Sequence, residues 1–189
     1  NDFQQAIDFF NLALASNTTM IQKSDGLLYT YQGKAYALIQ LTLYNDAIGT
    51  IDEGLVIYPK DPMLWNDKGY SLFSLGKNQD AVNAYDTAIS FDQNYTSALI
   101  NKGQALYQMG KYQDAVDAYT RADATDPGNS EAAEGLAQAQ GAAAAATQTV
   151  VVIAGIILIV VAGGIVWYMK FHKSTEEKTS EKKTKGKKK

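Results

Sequence analysis

Between Gln79 and Phe91 the apolar positions Val82, Tyr85 and Ile89 recur at steps of three and four, the spacing of one face of an α-helix. Residues 62 to 75 place Trp65, Leu72 and Leu75 on one face in the same way, and Gly76 follows as a helix-ending glycine. The pattern predicts two helices joined by a tight turn, and it recurs. Ala47, Ala81 and Ala115 are 34 residues apart, as are Leu38, Leu72 and Leu106, and Ala35, Gly69 and Gly103. The same interval relates Thr42, Gly76 and Gly110; Ile51, Tyr85 and Tyr119; Gly54, Ala88 and Ala122; and Pro59, Gln93 and Pro127. A period of this length predicts stacked helix–turn–helix units. Small residues at Gly69 and Ala81 predict close approach of the paired helices. Asp46, Asp80 and Asp114 recur where the second helix begins, setting a negative charge against its positive end.

The segment FQQAIDFFNLALA repeats the second-helix pattern, with Phe3, Ala6, Phe10 and Ala13 matching Tyr112, Ala115, Tyr119 and Ala122. Ala6 and Ala47 are 41 residues apart rather than 34, so seven residues are inserted in the stretch SNTTMIQKSDG. The predicted organisation is a second helix at 1–15, an inserted loop at 16–27, and three full units at 28–61, 62–95 and 96–129. The first segment lacks a first-helix partner to cover its apolar face, so the natural protein is expected to continue upstream. Residues 130–140 read as a polar-faced capping helix, and 141–149 as an Ala-rich linker, flexible or helical.

These residues resemble the tetratricopeptide repeat family, over about residues 28 to 129. Its motif takes a large residue first, here Tyr31, Trp65 and Leu99, then the small, Leu, Ala, aromatic and Pro registers given above. Thr42 departs from the inter-helix Gly, Gly54 from a small Ala, and Gln93 from Pro. The resemblance implies an all-α superhelix, a TPR-like α-solenoid, whose first helices line a concave groove for a protein or peptide. In that geometry the groove-facing residues are Tyr29, Gln32, Tyr36, Met63, Asn66, Tyr70, Phe73, Ser97, Asn101, Gln104 and Tyr107. None is charged. Members that bind chaperone tails clamp a C-terminal carboxylate with Lys, Arg and Asn; the positions that would supply the cations hold Gln32, Tyr36, Ser97 and Asn101, which argues against that mode. Tyr, Asn and Gln offer flat apolar area with hydrogen-bonding edges, suited to an extended peptide, a helix or a glycan. Tyr70 and Phe73 are equally readable as inter-repeat core.

Val150 to Met169 is a run of twenty residues without charge or proline, roughly the 30 Å of a bilayer core when helical. It predicts one transmembrane helix at 150–169, with Trp167 and Tyr168 at the interface. Its position near the C-terminus excludes a secretory signal peptide. The tail, 170–189, holds nine of the 17 basic residues with three acidic ones, a net +6, while the remainder carries −9. Lysines beside a span are retained on the cytoplasmic side and favour anionic lipid headgroups, so the repeats are expected outside and the tail inside. Its composition predicts disorder in isolation, and with no aromatic beyond Phe171 it is not read as a nucleic-acid arm. Two candidate glycosylation sequons agree with this topology, at Asn17 in the inserted loop and Asn94 in a turn.

Chemistry is sparse. With no Cys and a single His, His172, disulfides, thiol chemistry, Cys-ligated metals, His-based triads and multi-His metal sites are excluded. There is no phosphate loop, metalloprotease motif or dinucleotide fingerprint. Glu131 and Glu134 read as a solvated helix face, and Asp52 with Glu53 and Asp114 with Asp117 as solubilising surface. The chain is therefore expected to be a non-enzymatic scaffold or adaptor without metal or cofactor. Three other readings remain open at this point: a tail-anchored adaptor with cytosolic repeats, a self-assembling surface protein using small residues such as Gly155 and Gly163, and the tether of an upstream enzymatic domain.

Overall fold

The computed structural model describes residues 2–15 and 26–185, with side chains as far as 172. Every described element is an α-helix: α1 (Asp2–Ala15), α2 (Gly26–Gln40), α3 (Tyr44–Ile57), α4 (Pro62–Ser74), α5 (Asn78–Phe91), α6 (Thr96–Gln108), α7 (Tyr112–Thr125) and α8 (Ser130–Lys185). Asn1–Ala143 forms one compact unit and Ala144–Lys189 another.

In the first unit each helix from α1 to α7 packs on its neighbours in the chain. The first helices α2, α4 and α6 also touch one another in succession, whereas α3, α5 and α7 do not. That asymmetry makes α2, α4 and α6 the inner layer, lining the concave face.

The 34-residue period is a period of hydrogen bonds as well as of residue types. Leu43 N, Lys77 N and Lys111 N donate to the carbonyls of Leu38, Leu72 and Leu106 at 2.9, 2.9 and 3.0 Å, closing the same turn three times. The bond requires a left-handed residue just before its donor, and Gly76 and Gly110 supply it at φ 75° and 73°. Thr42 adopts φ 59° in the remaining turn, a conformation its branched Cβ disfavours. Asp46, Asp80 and Asp114 sit in the first turns of α3, α5 and α7, as expected.

Two buried clusters meet at Trp65. One gathers Ile7, Ala35, Leu38, Ala47, Ile51 and Leu64; the other gathers Leu72, Tyr85, Leu99, Leu106, Tyr119 and Ala132. Trp65 packs on both and donates its indole N–H to the Pro59 carbonyl at 2.9 Å. The small registers work by close contact: a Cβ on Gly69 would stand 2.5 Å from the Tyr85 ring, and one on Gly103 2.9 Å from Tyr119. Gly135, in the first turns of α8, approaches Tyr119 from the other side, so that a Cβ there would clash too. Ala132 and Ala139 are fully buried, and the capping segment has more to bury than its composition implies. Glu131 and Glu134 are exposed.

Residues 130–140, 141–149 and 150–169 lie on one continuous helix. The backbone stays helical to Lys185; the composition predicts disorder for the tail in isolation, and adding Lys and Glu residues to a helix already formed avoids the nucleation step. The large apolar side chains from Val150 to Met169 are 52% to 73% exposed. Ser130–His172 is the one described helix long and apolar enough to cross a membrane. At the end of the apolar run Trp167 stacks on Phe171, ring centroids 5.5 Å apart.

Candidate functional site

Where α2 and α4 adjoin on the inner layer they leave a cleft of about 430 Å³, lined by Tyr29, Gln32, Gly33, Tyr36, Met63, Asp67 and Tyr95. The helical period explains the lining. Ala35 and Leu38 of α2 and Leu64 of α4 turn into the core, which leaves Tyr29, Tyr36 and Met63 on the outer side of their helices, 65%, 55% and 44% exposed. Gly33 lets α1 press in from behind; a Cβ there would stand 2.5 Å from the Phe10 ring.

A polar network crosses the inner layer. Gln32 Nε2 donates to both carboxylate oxygens of Asp61 at 3.1 and 3.2 Å, and Asp61 also caps α4 by accepting from Leu64 N at 2.8 Å. Asn101 Nδ2 on α6 donates to Asn66 Oδ1 at 3.0 Å, and Asn66 Nδ2 donates in turn to Asp67 Oδ1 at 3.3 Å. Burial pushes the Asp67 carboxyl up to about 6; the Asn66 amide pulls it back and the Asp61 charge adds to the rise. The Tyr95 hydroxyl is pushed up to about 12, first by burial and then by Asp67, Asp61 and Asp92. Among the described residues no lysine or arginine lines the cleft, and Asp67 gives it a negative charge.

Of the residues expected in the groove, Tyr29, Gln32, Tyr36 and Met63 meet in this cleft. Asn66 is buried and spent on Asn101, so both act as a link between α4 and α6. Tyr70, Ser97 and Gln104 are exposed. Phe73 and Tyr107 pack partly on the core, Tyr107 edge-on to Tyr112 at 5.3 Å. The expectation of an uncharged groove is corrected by Asp67. The signal was available, since Asp67 lies 34 residues before Asn101. Tyr95 was missed for a different reason. It holds the N-cap position where Asp61 caps α4, but it makes no side-chain cap, and its ring lines the cleft instead. Asn94 is exposed in the turn before it, and Asn17 lies outside the described residues.

A second depression, of about 320 Å³, sets Asp86, Asp114 and Asp117 among Lys102, Lys111 and Arg121. Lys102 pairs with Asp86 as Lys68 pairs with Asp52 one repeat earlier. The charges there balance.

Helix pairs stacked at constant stride define an α-solenoid. Residues 69–110 match the family model described as TPR repeat, and residues 96–129 that described as Tetratricopeptide repeat. The chain is an all-α array of these repeats with a long apolar C-terminal helix. Among solved structures, the first TPR of Spaghetti (RPAP3) bound to HSP90 peptide SRMEEVD is 25% identical, with a TM-score of 0.60 over 61% of this chain and 92% of that one. MamA is 22% identical, TM-score 0.64, over 79% of this chain and 78% of that one. The Sgt2 TPR domain from Aspergillus fumigatus is 20% identical, TM-score 0.61, over 69% and 83%. The last two share the fold alone. No curated protein matches the chain.

Proposed function

We propose that this protein is a membrane-anchored, non-enzymatic scaffold that binds an extended segment of a partner protein along α2, α4 and α6. The observation that carries this reading is the cleft between α2 and α4, where Tyr29, Tyr36 and Met63 stand exposed on a rigid inner layer beside hydrogen-bonding groups. Aromatic rings offer large contact area at little loss of freedom, which suits capture of a peptide. The likeness to the RPAP3 domain, whose structure holds a peptide, supports the same mode. That peptide, SRMEEVD, is acidic. Here Asp61 and Asp67 would repel such a ligand, so the partner differs in charge.

Residues 150–169 are the anchor in this reading, because their exposed apolar surface is stable only in lipid or against another protein. The Lys-rich tail holds the cytoplasmic side and meets anionic headgroups, with the repeats and Asn94 outside. Replacing Tyr36, Tyr70 and Tyr107 together by alanine is expected to abolish partner capture in a cross-linking pull-down while helical circular dichroism is retained. Unchanged capture would reject the groove. External protease on intact cells is expected to degrade the repeats, and protection would reject this topology.

A further inference from the structure

The cleft combines three features that converge on one ligand chemistry. Tyr29, Tyr36 and Tyr95 present rings, Asp67 contributes a carboxylate, and among the described residues no cation lines the space. Asp61 is already engaged by Gln32 and by the α4 backbone. Among the described residues the Asp67 carboxylate accepts one side-chain hydrogen bond, the 3.3 Å contact from Asn66, and the charge that acts on it, Asp61, is negative. An anion in partly desolvated surroundings is stabilised most by a cation brought to it. Aromatic faces attract the same group through their quadrupoles.

We propose that the cleft between α2 and α4 is a subsite for the cationic end of a lysine or arginine side chain on the bound peptide, with Asp67 as its counter-ion and Tyr29, Tyr36 and Tyr95 as its walls. The inference rests on the peptide-groove reading and specifies its ligand. A flat, uncharged groove would accept many side chains. A carboxylate below a ring of tyrosines selects one charge.

The test uses the full chain in detergent micelles and four blocked nonapeptide libraries whose central residue is Lys, Arg, Gln or Glu, with binding read by fluorescence anisotropy at pH 7.5. The Lys and Arg libraries are expected to bind at least about 10-fold more tightly than the Glu library. Asp67→Asn, which keeps the shape, is expected to remove that preference and leave the Gln library unchanged. Tyr36 is exposed, so Tyr36→Ala spares the fold, and it is expected to reduce the Lys and Arg preference by roughly 3- to 30-fold. Lowering the pH through about 6 protonates Asp67 and is expected to erase the preference in the native chain but not to alter the Asp67→Asn variant. Equal binding of all four libraries, or a Lys preference that survives Asp67→Asn, would overturn the subsite while leaving the groove standing. Binding of none of them would overturn the groove itself. Binding of n-butylammonium alone as tightly as the whole Lys library would mark a small-amine site rather than a peptide subsite and likewise overturn the proposal.

Discussion

Gly69 and Tyr85 lie in close contact between the helices of the second unit, and the first unit solves the same position differently. Sixteen residues apart, Gly69 meets Tyr85; one repeat earlier, at the same spacing, Ala35 and Ile51 are both fully buried. In Gly69→Ala the new Cβ would stand 2.5, 2.6 and 2.9 Å from three ring atoms of Tyr85, about 1 Å inside normal carbon–carbon contact. Tyr85 is fully buried and has nowhere to retreat. Overpacking of this kind costs about 1–3 kcal/mol, against about 1 kcal/mol gained when alanine replaces glycine inside a helix, a net loss of about 0–2 kcal/mol. Tyr85→Ile by itself leaves a gap and is expected to lose about 1–2 kcal/mol. Together they recreate the Ala–Ile pairing of the first unit, so the double variant is expected to be more stable than the sum of the single changes by at least about 1 kcal/mol. Urea denaturation of the detergent-solubilised chain, followed by far-ultraviolet circular dichroism with an unchanged m-value, measures all four corners of the cycle. Additivity within about 0.5 kcal/mol would refute the claim that Gly69 is small because Tyr85 is large.

Among the described residues the buried Tyr85 hydroxyl has no hydrogen-bond partner, so Tyr85→Phe is expected to stabilise the chain by about 1 kcal/mol, and a loss in the same denaturation assay would reveal a partner. Thr42→Gly relieves a left-handed branched residue and is expected to gain about 0.5–1 kcal/mol, read as a rise in the urea midpoint. Because burial raises the Asp67 carboxyl to about 6, the folded state holds that proton more tightly than the unfolded chain. Its contribution therefore favours folding more as pH falls from about 6 toward 4, and Asp67→Asn is expected to gain about 2 kcal/mol at pH 7.5 and to flatten that segment of the stability–pH curve. A flat native curve would refute the burial of an uncompensated carboxylate.

Asp67→Asn links stability to function in this molecule. In the proposed subsite, the cation of the bound peptide would offset the cost of burying this carboxylate. The same substitution is expected to strengthen the fold and weaken cation selection, two opposite readouts from one atom change.

The repeating helices were legible because a helix has a local period. Residues three and four apart share a face, and a unit of fixed length must restore each contact at the same interval, so Leu38, Leu72 and Leu106 announce themselves without coordinates. The turns were legible too, at Gly76 and Gly110, because a left-handed position selects glycine. The apolar run from Val150 was evident from composition. The cleft was only half legible. Tyr29, Gln32, Tyr36 and Met63 followed from their registers, but Asp67 was passed over although the register of Asn101 points to it. Tyr95 had no such signal, because its place in the cleft depends on a capping position left without a cap. Gly135 against Tyr119 and the engagement of Asp61 by Gln32 are contacts between different helices, which no period within one helix reports. Periodicity reports which side a residue faces; which groups then meet, and which charge is left without an opposite, depends on how neighbouring helices pack.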